Sequence, residues 1–325
     1  MARSLEKASL AAGPSAGPPD IGGLSRVGIP LLVILSLTWG MNWPMMKLAL
    51  QDIPVWTFRS LCLMGGGSML LLIARLSGHA VTFPRRQFGA LAFVALFNIT
   101  GWHLCSAYGL LHTGGGRAAI IGYTMPLWTS VFGAVILGTR PNARQALALM
   151  LGMAALLTLL TEDLQVMGGA PLGVLFMILA ALNWGLGTVL VKKLDWGGMS
   201  VLALTGWQQL IGGVPIVIGW WILEPVPDLT AVSLPALAGL GYTVFVAMVF
   251  CHTAYFKLVA LLPAHVAAMG VMAVPVVGVI ASAWILGETI GVAEVLALAF
   301  VVSSMALLAQ KERPAGGVEP SENRP

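Results

Sequence analysis

The apolar residues of this chain run in long blocks rather than in alternation. Such blocks lie near residues 29–49, 55–76, 88–111, 117–138, 144–160, 171–191, 201–223, 234–258, 264–286 and 291–309. A spanning helix needs about 20 mostly apolar residues to cross a hydrocarbon layer about 30 Å thick, so the pattern predicts ten membrane helices. The breaks between blocks carry polar and helix-breaking residues: Gln51-Asp52-Ile53-Pro54, Phe83-Pro84-Arg85-Arg86, His112-Thr113-Gly114-Gly115-Gly116 and Glu224-Pro225-Val226-Pro227-Asp228. None is long enough to fold by itself. Residues 1–26, rich in Gly, Pro, Ser and Ala, lack the apolar core of a signal peptide, and with residues 311–325 they read as disordered cytoplasmic tails.

Composition sharpens this reading. The chain has 325 residues, of which 58% are hydrophobic and 9% charged, with a mean hydropathy of +0.90. A soluble domain carries about 25% charged residues, so a cytosolic enzyme, a disordered regulator and a nucleic-acid binder are excluded. Cytoplasmic loops are enriched in Lys and Arg. With the N-terminus inside, Arg3, Lys7, Arg26, Arg75, Arg85, Arg86, Arg140, Arg144, Lys192, Lys193, Lys257, Lys311, Arg313 and Arg324 face the cytoplasm, fourteen of seventeen basic residues. Only Lys47, Arg59 and Arg117 remain outside, beside Asp52 and Glu288, and they read as interfacial anchors. Both termini are expected in the cytoplasm of a bacterial cell whose inner (plasma) membrane holds the protein. Cys62, Cys105 and Cys251 all fall in apolar blocks without CxxC spacing, so no disulfide framework, metal or cofactor is expected.

The halves repeat one another. Trp39-Gly40 followed by Lys47 recurs as Trp184-Gly185 followed by Lys192, an offset of 145, and Ala107-Tyr108, Pro126 and Leu137-Gly138 recur as Ala254-Tyr255, Pro275 and Leu286-Gly287 at offsets of 147 to 149. Each repeat, residues 27–161 and 170–310, holds five helices, an odd number, so the second copy crosses the membrane upside down. The predicted fold is all-α, ten transmembrane helices in two inverted five-helix repeats. Secondary transporters are built this way, with the substrate site near the midplane between the repeats.

These residues resemble the drug/metabolite transporter superfamily, in particular proteins with two EamA-type repeats. Trp39-Gly40-Met41-Asn42 with Lys47, Phe58-Arg59, Pro126 with Leu137-Gly138, and Pro275 with Ile285-Leu286-Gly287-Glu288 carry the resemblance across residues 27–310. The family usually ends both equivalent helices in Gly-Glu, whereas the first repeat here reads Gly138-Thr139. The resemblance implies transport of small metabolites, and the YddG-like amino-acid exporters are its nearest match.

Polar groups inside a span are costly unless they face protein or a water-filled cavity. Helix 1 places Trp39, Asn42, Trp43 and Met46 on one face, and helix 3 carries a stripe of Asn98, Trp102 and Ser106 beside His103. Tyr123, Asn183, Trp184, Tyr242, His252 and Tyr255 lie in other spans. Candidate substrate-binding residues are therefore Trp39, Asn42, Trp43, Asn98, Trp102, His103, Tyr123, Trp184, Tyr242 and His252, lining a cavity without fixed charge walled by helices 1, 3, 4, 6, 8 and 9. Such a lining suits a small zwitterionic or neutral metabolite, with aromatic faces for an ammonium and Asn or His for a carboxylate. Pro126 and Pro275, at equivalent mid-span positions, are candidate hinges. No mid-span Asp or Glu is present, which favours a facilitator over a proton-coupled antiporter. A membrane-embedded transferase lacks any nucleophile, base or metal motif here. A channel remains open as a rival. The expected partners are the substrate and the lipid bilayer, with no nucleic acid, and the protein is expected to be a monomer.

Overall fold

The computed structural model describes residues 21–138, 142–167, 172–225, 231–261 and 271–309. Most of the expected tails, Thr139, Arg140 and the start of the ninth helix at 264 lie outside these residues. Among the described residues nine helices are long and apolar enough to span a membrane, and a shorter apolar helix, Ala273–Leu286, adds a tenth crossing element.

In chain order they are α1 (Ile21–Asp52), α2 (Val55–Leu76), α3 (Arg85–Gln87, Phe88–Ala95, Leu96–Gly101 and Trp102–His112 in continuous succession), α4 (Gly115–Gly122 and Met125–Leu137), α5 (Ala143–Met167), α6 (Leu172–Lys193), α7 (Val201–Leu223), α8 (Leu234–Gly241, Tyr242–Cys251 and His252–Leu261), α9 (Ala273–Leu286) and α10 (Val292–Ala309). Local chemistry sets their ends. Ser200 and Ser233 cap α7 and α8 by accepting from the amides of Ala203 and Ala236. Asn142 and Gln145 bond reciprocally to each other's amides at the start of α5. α4 and α9 both stop at a glycine in the left-handed region, Gly138 and Gly287, each at φ 69°. This is the physical content of the repeated Leu-Gly pair.

Packing follows the repeat. α2 lies on α7, α4 on α9 and α5 on α10. α1 packs on α8 and α9, as α6 packs on α3 and α4, and α2 meets α8 as α7 meets α3. Exchanging the first five helices for the last five maps this pattern onto itself, so the halves interleave rather than sit side by side. Every helix completes its core against the opposite repeat, and neither half buries its apolar faces alone. The outward faces stay apolar, with Leu72, Phe93, Leu157, Phe245 and Trp284 exposed. That surface matches hydrocarbon, where every backbone group must be paired internally, as it is in a helix.

Alternate helices point opposite ways, which gives the bundle two ends. The Glu288 end gathers Asp52, His112, Gly115, Glu162, Glu224 and Glu294. The Lys192 end gathers Arg75, Arg85, Arg86, Arg144 and Lys193.

Candidate functional site

The site begins with the repeated Trp-Gly pair. A Cβ on Gly40 would lie 2.6 Å from Val277 Cγ1 and 2.9 Å from the Val274 carbonyl, and one on Gly185 would lie 2.8 Å from Trp128 Cβ and 2.9 Å from the Thr129 amide. These glycines let α1 cross α9 and α6 cross α4 at backbone contact. The adjoining tryptophans turn instead toward the opposite repeat. Trp39 meets His252 and Tyr255 of α8 edge-on, with centroids 5.6 and 5.8 Å apart, and Trp184 meets Trp102 of α3 at 5.1 Å. Two aromatic clasps, related by the repeat, thus enclose the centre.

Between them lies a cavity of about 210 Å³. Its wall carries Trp39, Asn42, Trp43 and Met46 from α1, Arg59 from α2, Trp102, His103 and Ser106 from α3, and Tyr123 and Met125 from α4. Trp184 of α6, Met248, His252 and Tyr255 of α8, and Val271 complete it. Arg59 is 1% exposed, and its Nη2 donates to Ser106 Oγ at 2.9 Å. Asn42 Oδ1, His103 Nδ1 and Arg59 Nε are buried without a hydrogen-bond partner. His252 Nδ1 lies 3.0 Å from the Ala247 carbonyl. A carbonyl only accepts, which assigns the ring proton to Nδ1 and leaves Nε2 as an acceptor.

The cavity communicates unequally with the two ends. Met125, Trp184, Tyr255 and Val271 also line a vestibule of about 480 Å³ that reaches Lys192 and Ala309, so these four side chains form a neck toward the Lys192 end. At the Glu288 end charged groups close over the helix termini. Arg117 donates to Glu162 at 2.5 Å and to Glu294. Glu288 accepts from the Gly115 and Gly116 amides at 2.7 and 3.0 Å, capping α4. Lys47 donates to the carbonyls of Leu110, Leu111 and Thr113, closing the last turn of α3. Glu224 takes the Trp56 and Thr57 amides at the start of α2. A surface recess of about 410 Å³ at this end is bordered by Arg117, Glu288 and Glu294 and is distinct from the central cavity.

A family model described as "EamA-like transporter family" matches residues 26–161 and again 171–310. The chain belongs to the EamA-like transporter family. Among its relatives, "Uncharacterized transporter YoaV" of Bacillus subtilis (strain 168) is 25% identical over 246 residues, 75% of this chain and 84% of that protein. "Probable amino-acid metabolite efflux pump" of Salmonella typhimurium is 24% identical and covers 82% of this chain and 89% of its own length. "Uncharacterized inner membrane transporter YedA" of Escherichia coli (strain K12) is 24% identical, covering 85% and 89%. A crystal structure aligns at TM-score 0.57 and 17% identity over 85% of this chain and 96% of its own, which speaks to the fold alone.

In this EamA-like protein eight of the ten expected site residues line the cavity: Trp39, Asn42, Trp43, Trp102, His103, Tyr123, Trp184 and His252. Asn98 and Tyr242 do not. Asn98 instead ties α3 to α7 by donating to Gln208 Oε1 at 2.9 Å, and Tyr242 donates to the Thr38 carbonyl at 2.8 Å. Asn98 lies within the π-helical stretch Leu96–Gly101, and Tyr242 opens another, Tyr242–Cys251. Arg59 corrects the expectation of an uncharged lining and adds α2 to its walls. Of the expected interfacial anchors, Arg117 instead pairs with Glu162 and Glu294, while Asp52 accepts from the Ser233 amide and Glu288 caps α4. Pro126 and Pro275 sit in the first turns of Met125–Leu137 and Ala273–Leu286, each just after a break, where a missing N–H costs little. They mark interrupted helices rather than kinks in continuous ones.

Proposed function

We propose that this EamA-like protein is a secondary transporter that exports small amino-acid metabolites by alternating access between its two repeats. The observation that carries the reading is the aromatic and amide-lined cavity at the repeat interface, with a neck toward one end and charged closures at the other. The name of the Salmonella typhimurium relative supports the substrate class. The surplus of Lys and Arg at the Lys192 end orients it to the cytoplasm, so this conformation would receive substrate from inside. Release then requires the Arg117 cluster and the Glu288 cap to part while the neck closes, with the breaks at Tyr123 and Met272 as bending points.

No Asp or Glu lies on the described cavity wall, which fits a facilitator driven by the gradient of its own substrate. The test is counterflow in proteoliposomes against amino acids, nucleosides and sugars. Saturable exchange of amino acids is expected, unchanged by an imposed pH gradient, with Trp102→Ala and Trp184→Ala each weakening apparent affinity about tenfold. Non-saturable flux would indicate a pore, and proton-driven uphill accumulation would overturn the facilitator reading.

A further inference from the structure

Arg59 poses a problem that the fold does not solve internally. Its Cα lies about 6 Å into α2, counted at 1.5 Å per residue from Val55, yet the residue is 1% exposed. Arg stays protonated in proteins and offers five N–H donors. Here Nη2 reaches the neutral Ser106 hydroxyl, the guanidinium carbon lies 5.2 Å from the Phe58 ring, and Nε has no partner. Among the described residues the ion pairs formed by Arg117 lie at the Glu288 end, and no carboxylate shares the cavity wall with Arg59. A buried cation without a counter-charge is costly, and a membrane protein that keeps one in its central cavity has a use for it.

The charge is also asymmetric. Repeat offsets of 145 to 149 bring Arg59 onto the window Leu204, Thr205, Gly206, Trp207 and Gln208, which contains no cation. Packing symmetry between the halves therefore does not explain it. Two further orphaned groups face the same problem, since Asn42 Oδ1 and His103 Nδ1 are buried and unpartnered. All three residues line the cavity that also holds the Trp39, His252 and Tyr255 clasp.

We propose that Arg59, with Ser106 beside it, is a carboxylate subsite, so that the transported molecule must carry a free carboxylate that supplies the missing counter-charge. Asn42 Oδ1 accepts from the ammonium or another donor of the same molecule, and the aromatic clasps take its remaining surface. This assignment rests on the transporter reading above and narrows it: amides, esters and amines of the same skeleton leave Arg59 unpaired and are rejected.

The test uses the purified full-length protein in proteoliposomes loaded with the twenty proteinogenic amino acids and their matching carboxamides, with release followed by mass spectrometry. The wild type is expected to release at least one amino acid about 100-fold faster than its carboxamide, the scale of a lost charge-assisted hydrogen bond pair. Arg59→Gln is expected to bring the two within about threefold, Arg59→Lys to restore part of the preference, and Ser106→Ala to lower it about fivefold. The wild-type preference is read without any variant, so a misfolded Arg59→Gln protein does not block the test. Equal release of acids and amides by the wild type, or a preference that survives in folded Arg59→Gln, overturns the subsite and leaves the transporter reading standing. Release of neither class overturns the transporter reading and the subsite with it.

Discussion

The two ends of the bundle are made from repeat-related helices and are finished differently. At the Glu288 end, charged side chains bridge separate helices: Arg117 of α4 reaches Glu162 of α5 and Glu294 of α10, Lys47 of α1 closes α3, Glu224 closes α2 and Glu288 closes α4. At the Lys192 end the links between described elements include Gln87 to the Asp195 carbonyl and Trp207 to the Val81 carbonyl, at 3.2 and 2.6 Å, beside a vestibule of about 480 Å³. The contrast separates two tasks. On the alternating-access reading proposed above, the interleaved repeats would give both conformations similar backbone packing, and side-chain contacts such as those of Arg117 would set which end is shut. Holding one end closed 99% of the time needs roughly 3 kcal/mol, a total that a few partly buried charged hydrogen bonds supply.

Removing the central cation of that closure should have the largest effect. Arg117→Met leaves Glu294, whose side chain is 11% exposed, without its charged partner. Stranding a mostly buried carboxylate costs about 2 kcal/mol, equivalent to roughly a 30-fold shift toward opening. The readout is alkylation of Met46→Cys by a membrane-impermeant maleimide added from the Glu288 side, in a protein whose native cysteines are replaced. An unchanged rate would show that the Arg117 cluster does not hold this end shut. Glu288→Gln keeps an acceptor at the start of α4 but loses the charge that favours a helix N-terminus, worth about 1 kcal/mol. Labelling should rise about fivefold, and the same substitution should lower thermal stability modestly. A fall in stability without faster labelling would make Glu288 a cap and nothing more.

Much of this architecture was legible because it obeys simple periods. Apolar blocks of about 20 residues define the helices, and the offset of the Trp-Gly pair reveals the repeat; the structure adds that Gly40 and Gly185 are crossing points while Trp39 and Trp184 face the centre. The face of α1 was readable because the chain stays helical across Trp39, Asn42, Trp43 and Met46 even with Pro44 among them. Asn98 and Tyr242 fall outside the cavity wall because each bonds to a neighbouring helix, to Gln208 of α7 and to the Thr38 carbonyl of α1, and such partners leave no trace in the sequence pattern. Arg59 was misread for another reason. An arginine one turn from a helix end normally reaches the interface, whereas here Arg59 turns inward to Ser106 of α3, a contact that sequence spacing does not encode. Met125, Met248 and Val271 carried no polar signal that would separate cavity wall from core.

Asp52→Asn should have the smallest effect and discriminates most finely. Asp52 sits at the same end, accepts from the Ser233 amide at 3.0 Å and is exposed. Asparagine keeps an oxygen for that bond and removes only the charge, which water and salt already screen. Met46→Cys labelling should therefore stay within twofold of the parent rate. If Asp52→Asn opened the Glu288 end as strongly as Arg117→Met, closure would follow the summed charge of that face and not the contacts of Arg117. The asymmetry between the ends would then be electrostatic, and raising ionic strength should abolish it. If Asp52→Asn is silent while Arg117→Met is not, the closure is a matter of particular buried bonds, and high salt should leave it largely in place.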